Sequence, residues 1–404
     1  MPCLLQINVT ANWGSTGRIA EDIGQLVMLH GWESHIAYGR YVTESRSELY
    51  RMGSKKDLCG HLLATRLLDR HGLASRQATR RLIDYIDEVV PSIIHLHNIH
   101  GYFLNYPLLF DYLKQTNVPV VWTLHDCWAF TGHCAFFDYA KCERWKTGCH
   151  DCPQKRSYPE SLFMERSRRN YEDKKHYFTS LQNLTLVPVS EWLESKVRQS
   201  FLGNCPIETI HNGIDMEVFK PSSEQNKDGR LQGRCIALGV ASVWDDRKGL
   251  ADFIRLRELL PKDYAIVLIG LREAQIKQLP EGILGISRTN NRQELVDYYS
   301  IADAFVNPTW EDTFPTTNLE ALACGTPVIT YRTGGSVEAV TPETGYIVKQ
   351  GDIKGLASAL SEIKLKGKEC YAKACRRRAV ACFDKHTAYS KYLSLYQRLI
   401  DKQS

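Results

Sequence analysis

Residues 4–29, LLQINVTANWGSTGRIAEDIGQLVML, read as one strand–loop–helix unit. An apolar strand over 4–9 runs into the glycine loop Gly14-Ser15-Thr16-Gly17, and 18–29 reads as an amphipathic helix. The rhythm repeats downstream. Short apolar strands are expected at 34–38, 93–96, 118–124 and 185–189, separated by helical stretches. It restarts after the polar stretch PSSEQNKDGR at 221–230, with strands at 235–240, 265–269, 282–286, 304–307 and 328–330. Such alternation predicts an α/β fold of two doubly wound, Rossmann-like domains, over 1–210 and 211–385. A last helix over 386–400 carries a stripe of Tyr389, Tyr392, Leu393, Tyr396 and Leu399 that reads as core-facing. The C-terminal segment 386–404 is therefore a candidate to pack back on the first domain.

Composition narrows the function classes. The chain has 404 residues, 43% hydrophobic and 24% charged, with a formal charge of +5, too weak to argue for nucleic acid. It contains no apolar run of membrane-spanning length. The N-terminus MPCLLQINVT lacks a basic, long-apolar leader pattern, so a cytoplasmic protein is expected. Thirteen cysteines, an odd number in a large chain, do not suggest a secreted disulfide framework.

The strongest chemical signal is residues 308–327, PTWEDTFPTTNLEALACGTP. Asp312 and Glu320 are separated by seven residues. Thr313 is a candidate N-cap, Pro315 a first-turn proline and Gly325 a terminator, so a helix is expected over 315–324. Its leading N–H groups, over Phe314, Pro315, Thr316 and Thr317, would form an anion site suited to a diphosphate. Asp312 sits on the loop ahead of that site. Glu320, one turn in, is placed to accept hydrogen bonds from a ribose diol.

This segment resembles the E-x7-E motif of family 4 retaining glycosyltransferases, with Asp312 in place of the first Glu. The resemblance implies the GT-B fold, two Rossmann-like domains facing across a cleft. It implies that Asp312 contacts the donor sugar and Glu320 the nucleotide ribose. Other matches extend along nearly the whole chain. Gly14 and Gly17 match the glycine loop near the donor phosphates. His125-Asp126, after a strand, matches a His-Asp pair close to the transferred sugar. Arg247-Lys248-Gly249 matches the basic pair that neutralises the donor diphosphate, although Ser242 stands where the family often has another Arg. Arg288 falls in the base-contacting stretch, and Asn212-Gly213-Ile214-Asp215 is the turn into the second domain. The implied catalytic set is His125, Asp126, Lys248 and Asp312, with no nucleophile named. Lys248, Arg247 and the helix amides can stabilise a departing diphosphate without a metal cofactor.

Residues 127–160 form an insertion rich in cysteine and aromatic residues. Cys134, Cys142, Cys149 and Cys152 lie in TGHCAFFDYAKCERWKTGCHDCP. The Cys-x2-Cys end has zinc-knuckle spacing, whereas the Cys-x7-Cys start is irregular. A structural zinc and unliganded thiols both remain open readings. The insertion is similar to one in colanic-acid-type glycosyltransferases, which implies a setting in exopolysaccharide, capsule or O-antigen synthesis.

Residues 40–81 carry ten basic and four acidic side chains, with leucines at 62, 63, 67 and 68 between them. This reads either as a solvated face or as a basic amphipathic surface. The latter would dock on the inner face of a membrane beside a lipid-linked saccharide acceptor. Arg376-Arg377-Arg378 reads as solvated. The alternatives are a GT-B epimerase or phosphorylase, and a zinc-containing binding module. A dehydrogenase is a poor fit, because no Gly-x-Gly-x-x-Gly with a following acid occurs.

Overall fold

The computed structural model describes residues 1–222 and 229–402. Most of the polar stretch expected at 221–230 lies outside the described residues. Among those described, no helix is long and apolar enough to cross a membrane.

The strands form two parallel sheets. The first comprises β1 (Cys3–Asn8), β2 (Glu33–Tyr38), β3 (Glu48–Arg51), β4 (Ile93–Leu96), β5 (Val120–Leu124) and β6 (Leu184–Pro188), in the order β3-β2-β1-β4-β5-β6. The second comprises β7 (Cys235–Val240), β8 (Tyr264–Ile269), β9 (Ile283–Ile286), β10 (Ala304–Asn307), β11 (Val328–Tyr331) and β12 (Gly345–Val348), in the order β12-β11-β10-β7-β8-β9. Every residue of β1, β4 and β5 is buried. Strands covered by helices on both faces must be apolar throughout, which is why they read as continuous apolar runs. The edge strands β3 and β12 escape that rule. β3, ELYR, is largely exposed, and β12, GYIV, is half-buried at its centre, so neither shows in the sequence pattern. In each sheet the winding reverses between two neighbours, β1/β4 and β7/β10. Open α/β sheets bind ligands beyond the carboxyl ends of such strands.

Two compact units follow from the contacts: Met1–His211 with Ala388–Ser404, and Asn212–Thr387. The helix Lys385–Asp401 starts in the second unit and runs into the first. Its Tyr389, Tyr392, Leu393 and Tyr396 are buried in one cluster with Leu4, Ile23, Trp32, Ile93 and Val121. Two of these rings also have polar partners. Tyr396 Oη lies 2.7 Å from His95 Nδ1, and Tyr392 Oη 2.9 Å from Thr123 Oγ1.

Three local expectations change. The glycine loop is itself the first turn of the helix Gly14–Leu29. The helix expected over 315–324 is Thr316–Ala323, with Pro315 rather than Thr313 at the N-cap. Arg376 and Arg378 are not simply solvated. Arg376 donates to the carbonyls of Phe219 (2.6 Å), Ala323 (2.9 Å) and Met216 (3.0 Å), and Arg378 to those of Ala339 and Glu338. Arg376 thereby places a cation on the C-terminal end of Thr316–Ala323, where the helix dipole favours it.

Tyr396→Phe leaves the His95 ring nitrogen without its partner in a fully buried site. It should cost about 1–3 kcal/mol. Tyr396→Ala removes the ring as well and should cost about 3–5 kcal/mol. Urea denaturation followed by tryptophan fluorescence measures both. A Phe variant as stable as the parent would show that the helix docks by apolar contact alone.

Candidate functional site

In the second unit the reversal point gathers charge. Lys248 follows β7 and Asp312 follows β10, and Lys248 Nζ lies 2.5 Å from Asp312 Oδ2. The loops beneath them are stitched together. Trp310 N–H and Thr309 Oγ1 both donate to the Arg247 carbonyl, at 2.8 and 3.3 Å, and Arg247 Nη1 donates to the Glu311 carbonyl at 3.2 Å. Close approach demands glycine on both sides. A Cβ on Gly249, which has φ +75°, would sit 2.3 Å from the Pro308 carbonyl oxygen. One on Gly334, φ +50°, would sit 1.9 Å from that of Asp312. Both residues also use left-handed backbone that favours glycine.

The helix Thr316–Ala323 begins beside this pair, and no side chain caps it. Its first residues, Thr316 and Thr317, are half-buried. Leading N–H groups of a helix attract anions. The Phe314 N–H does not join them, since it donates to Asp312 Oδ1 at 3.3 Å. Asn318 anchors the helix start, accepting from Asn307 Nδ2 at the end of β10 and donating to Ser336. One turn in, Glu320 Oε2 accepts from Tyr299 Oη at 2.8 Å. Arg288, exposed beyond the edge strand β9, does not join the group at β7 and β10.

The first unit has its own polar cluster. Gly17 must be glycine, because a Cβ there would lie 2.6 Å from Thr10 Oγ1, while Gly14 has φ +67° and open space around it. His125 follows β5, and a hydrogen-bond relay sets its tautomer. Gln6 Nε2 donates to the Ala20 carbonyl at 2.7 Å, so Gln6 Oε1 accepts from His97 Nε2–H at 3.0 Å. His97 Nδ1 then accepts from His125 Nε2–H at 3.1 Å. A neutral His125 therefore carries its lone pair on Nδ1. Burial holds it neutral, pushing its pKa down to about 4, and holds His95 and His97 well below the ordinary imidazole range. Asp126 is occupied on both oxygens, by His100 Nε2 and by the Trp128 N–H, each at 2.9 Å. Burial would raise its carboxyl, but His100 and that N–H outweigh it and keep the acid below its usual range. Asp126 thus ties the strand end to the insertion that follows. Within that insertion Cys134, Cys142, Cys149 and Cys152 line one pocket.

Two family models cover most of the chain. One, described as glycosyltransferase family 4, matches residues 26–218, and one described as glycosyl transferases group 1 matches residues 234–364. The colanic acid biosynthesis glycosyl transferase WcaC of Escherichia coli is 26% identical over 369 residues, 87% of this chain and 88% of its own. The chain is a family 4 glycosyltransferase. An N,N'-diacetylbacillosaminyl-diphospho-undecaprenol alpha-1,3-N-acetylgalactosaminyltransferase of Campylobacter jejuni is 26% identical over 48% of this chain and 54% of its own. Sucrose-phosphate synthase from Thermosynechococcus elongatus aligns over the full length of both chains with a TM-score of 0.73 and 18% identity. The Anabaena protein HepE, solved in complex with UDP, aligns over 98% of this chain and 100% of its own with a TM-score of 0.69 and 13% identity. The fold is GT-B.

Several residues that shape this candidate site carry no motif. Tyr299, which orients Glu320, and Gly334, which admits the Asp312 backbone, lie just outside 308–327 and belong to no pattern of their own. Gln6, inside the apolar run of β1, and His97, directly after β4, leave a fainter trace, because a polar residue in such a run signals a buried partner.

The imidazoles of His95, His97 and His125 stay neutral in the folded enzyme and become charged in the unfolded chain below about pH 6.5. The unfolded state then takes up the protons, so stability is unaffected above that pH and falls as pH drops from 6.5 towards 4. Each imidazole contributes a limiting slope of about 1.4 kcal/mol per pH unit. Denaturant titrations between pH 7.5 and 5 should show this loss, and His97→Gln should make it shallower. A flat profile would contradict the burial of neutral imidazoles.

Proposed function

We propose that this enzyme moves a sugar, with retention of anomeric configuration, from a nucleoside-diphosphate sugar to a saccharide carried on a lipid diphosphate, in assembly of a surface polysaccharide. The carrying observation is the Lys248–Asp312 pair at the β7/β10 reversal, beside an uncapped helix N-terminus. The WcaC likeness supports the polysaccharide setting, and the Campylobacter relative supports the lipid-linked acceptor.

In this reading the donor diphosphate takes Lys248 Nζ and the N–H groups of Thr316 and Thr317. Asp312 takes a hydroxyl of the donor sugar. Glu320, oriented by Tyr299, accepts from the ribose diol. His125, held neutral by burial, takes a hydroxyl of the transferred sugar. The bond from the anomeric carbon to the diphosphate oxygen breaks while the acceptor oxygen bonds that carbon from the same face. The acceptor proton passes to the departing phosphate oxygen. Lys248, Arg247 and the helix amides stabilise the charge that develops, in a site where preorganised donors act strongly. Metal-independent turnover is part of the proposal.

The acceptor's lipid calls for a surface to meet it. Leu63, Leu67 and Leu68 on the helix Lys55–Leu68 are 57%, 41% and 42% exposed, and Phe163 and Met164 are 71% and 52% exposed. The two groups adjoin, since Met164 N–H donates to the Leu67 carbonyl and Leu162 N–H to that of Arg66. With Lys55, Lys56 and Arg70 nearby in the chain, this patch is our proposed contact with an anionic membrane surface.

Thermal-shift titration with UDP and GDP, without added metal, tests the donor site. One of them should bind saturably. Lys248→Ala should weaken it by about tenfold or more, the worth of a charge-assisted hydrogen bond, and Glu320→Ala should also weaken it. Unchanged affinity in both variants would overturn the assignment, and conversion of the sugar nucleotide without acceptor would favour an epimerase.

The membrane surface has its own test. Sedimentation with anionic vesicles should retain the protein, and Leu67→Glu with Phe163→Glu should cut the bound fraction about tenfold or more. Equal retention would remove the patch from the account.

A further inference from the structure

The transferase reading leaves the cysteine insertion unused. Its four thiols, Cys134, Cys142, Cys149 and Cys152, line a single pocket together with His133. The loop is built to aim sulfur inward. Gly132 N–H donates to Cys149 Sγ at 3.2 Å. Gly148 (φ +155°) and Asp151 (φ +43°) turn the chain around Cys149, and Arg144 holds the carbonyls of His150 and Asp151 from outside, at 2.7 and 2.5 Å. Phe137 and Trp145, stacked at 4.6 Å, wall the pocket against water.

Two buried polar groups sit beside the thiols. Lys174 is 2% exposed, with its Nζ 3.5 Å over the Trp128 ring and donating to the carbonyls of Trp128 (2.6 Å) and Thr131 (3.0 Å). The ionisable groups acting on it include Cys149, Cys134, Asp126 and Asp69. His133, also 2% exposed, binds Asp69 Oδ1 through Nδ1 at 2.6 Å, while its Nε2 is buried with no hydrogen-bond partner. A thiolate cluster would add to those carboxylates in matching that ammonium. Thiolates crowded into an apolar pocket need a cation between them in turn. Zinc supplies it, and an imidazole with its other nitrogen on a carboxylate is a regular neighbour of such ions.

We propose that Cys134, Cys142, Cys149 and Cys152 bind one zinc ion as thiolates, with His133, held by Asp69, lining the cluster and Lys174 balancing the charge. Four thiolates leave no open position, so the ion is structural. Zinc–sulfur bonds of about 2.3 Å place the sulfurs about 3.8 Å apart. Among the described residues the one trio of ligating atoms within 4.8 Å is Cys3, Glu33 and His35, so binding the ion requires the four sulfurs to move closer. The loop so pinned is the one that Asp126 anchors through the Trp128 N–H, directly after His125. The ion would therefore stiffen the wall of the His125 site from the far side of the insertion.

The test is metal analysis of the full chain, purified under reducing conditions without chelator. About one zinc per chain is expected, released stoichiometrically to a colorimetric chelator when a mercurial titrates the thiols. Cys142→Ser and Cys149→Ser should each lose most of it, and His133→Gln should keep it but release it faster. Should the serine variants fail to fold, two measurements on the parent chain decide. Cobalt(II) exchange should give the visible bands of a tetrahedral thiolate site. Alkylation should spare these four cysteines while labelling the exposed Cys59, Cys370 and Cys382. Free alkylation of all four in a zinc-free protein, or a Cys134–Cys152 disulfide in their place, would overturn the proposal.

Discussion

The ion pair between Lys248 and Asp312 joins residues 64 apart in sequence across the reversal point of the second sheet. Much else in that unit serves to hold it. β7 and β10 are hydrogen-bonded neighbours, so the loops leaving them emerge side by side. Gly249 lets those loops approach, and Gly334, after β11, lets its own loop approach Asp312, within distances that any Cβ would forbid. Asn318 ties the start of the Thr316–Ala323 helix to the end of β10, and Arg376 clamps its other end. A cation, an acid and a helix N-terminus are thereby fixed within one loop cluster before any ligand arrives. Preorganisation of this kind is what a departing diphosphate requires, because donors already in place need no reorganisation as charge develops.

The first unit solves a different problem. Its polar groups are buried among apolar strands, where an unpaired imidazole or amide is expensive. The relay from Ala20 through Gln6 and His97 satisfies each nitrogen in turn and leaves His125 with a defined tautomer. The C-terminal helix closes the neighbouring end, with Tyr396 on His95 and Tyr392 on Thr123. Asp126, committed to His100 and Trp128, acts on position rather than on charge.

How far the sequence could be read follows from where the interactions lie. The central strands are legible because burial on both faces forces uninterrupted apolar runs, as at 235–240 and 304–307, whose strand ends agree with the structure. The edge strands β3 and β12 are not, because β3 is largely exposed and β12 half-buried at its centre. The Asp312–Glu320 spacing shows through because both acids sit on one loop–helix segment. Tyr299 and Gln6 do not, since each earns its role from a partner brought near only by folding: Glu320, 21 residues on, and His97, 91 residues on. Arg376 looks solvated in a basic triplet, yet its guanidinium is spent on three carbonyls that no local pattern announces. Thr313 has the chemistry of a cap, but the chain stays extended through Pro315 (ψ 117°), and the helix begins beyond it.

The central claim is that the Lys248–Asp312 cluster and the adjoining helix receive the donor diphosphate. A crystal structure of the enzyme with its nucleoside diphosphate bound tests this most directly. The account predicts the terminal phosphate within about 3 Å of Lys248 Nζ and of the Thr316 or Thr317 N–H, with Lys248 shared between phosphate and Asp312. A nucleotide seated elsewhere, with the ion pair and the helix N-terminus untouched, would contradict it.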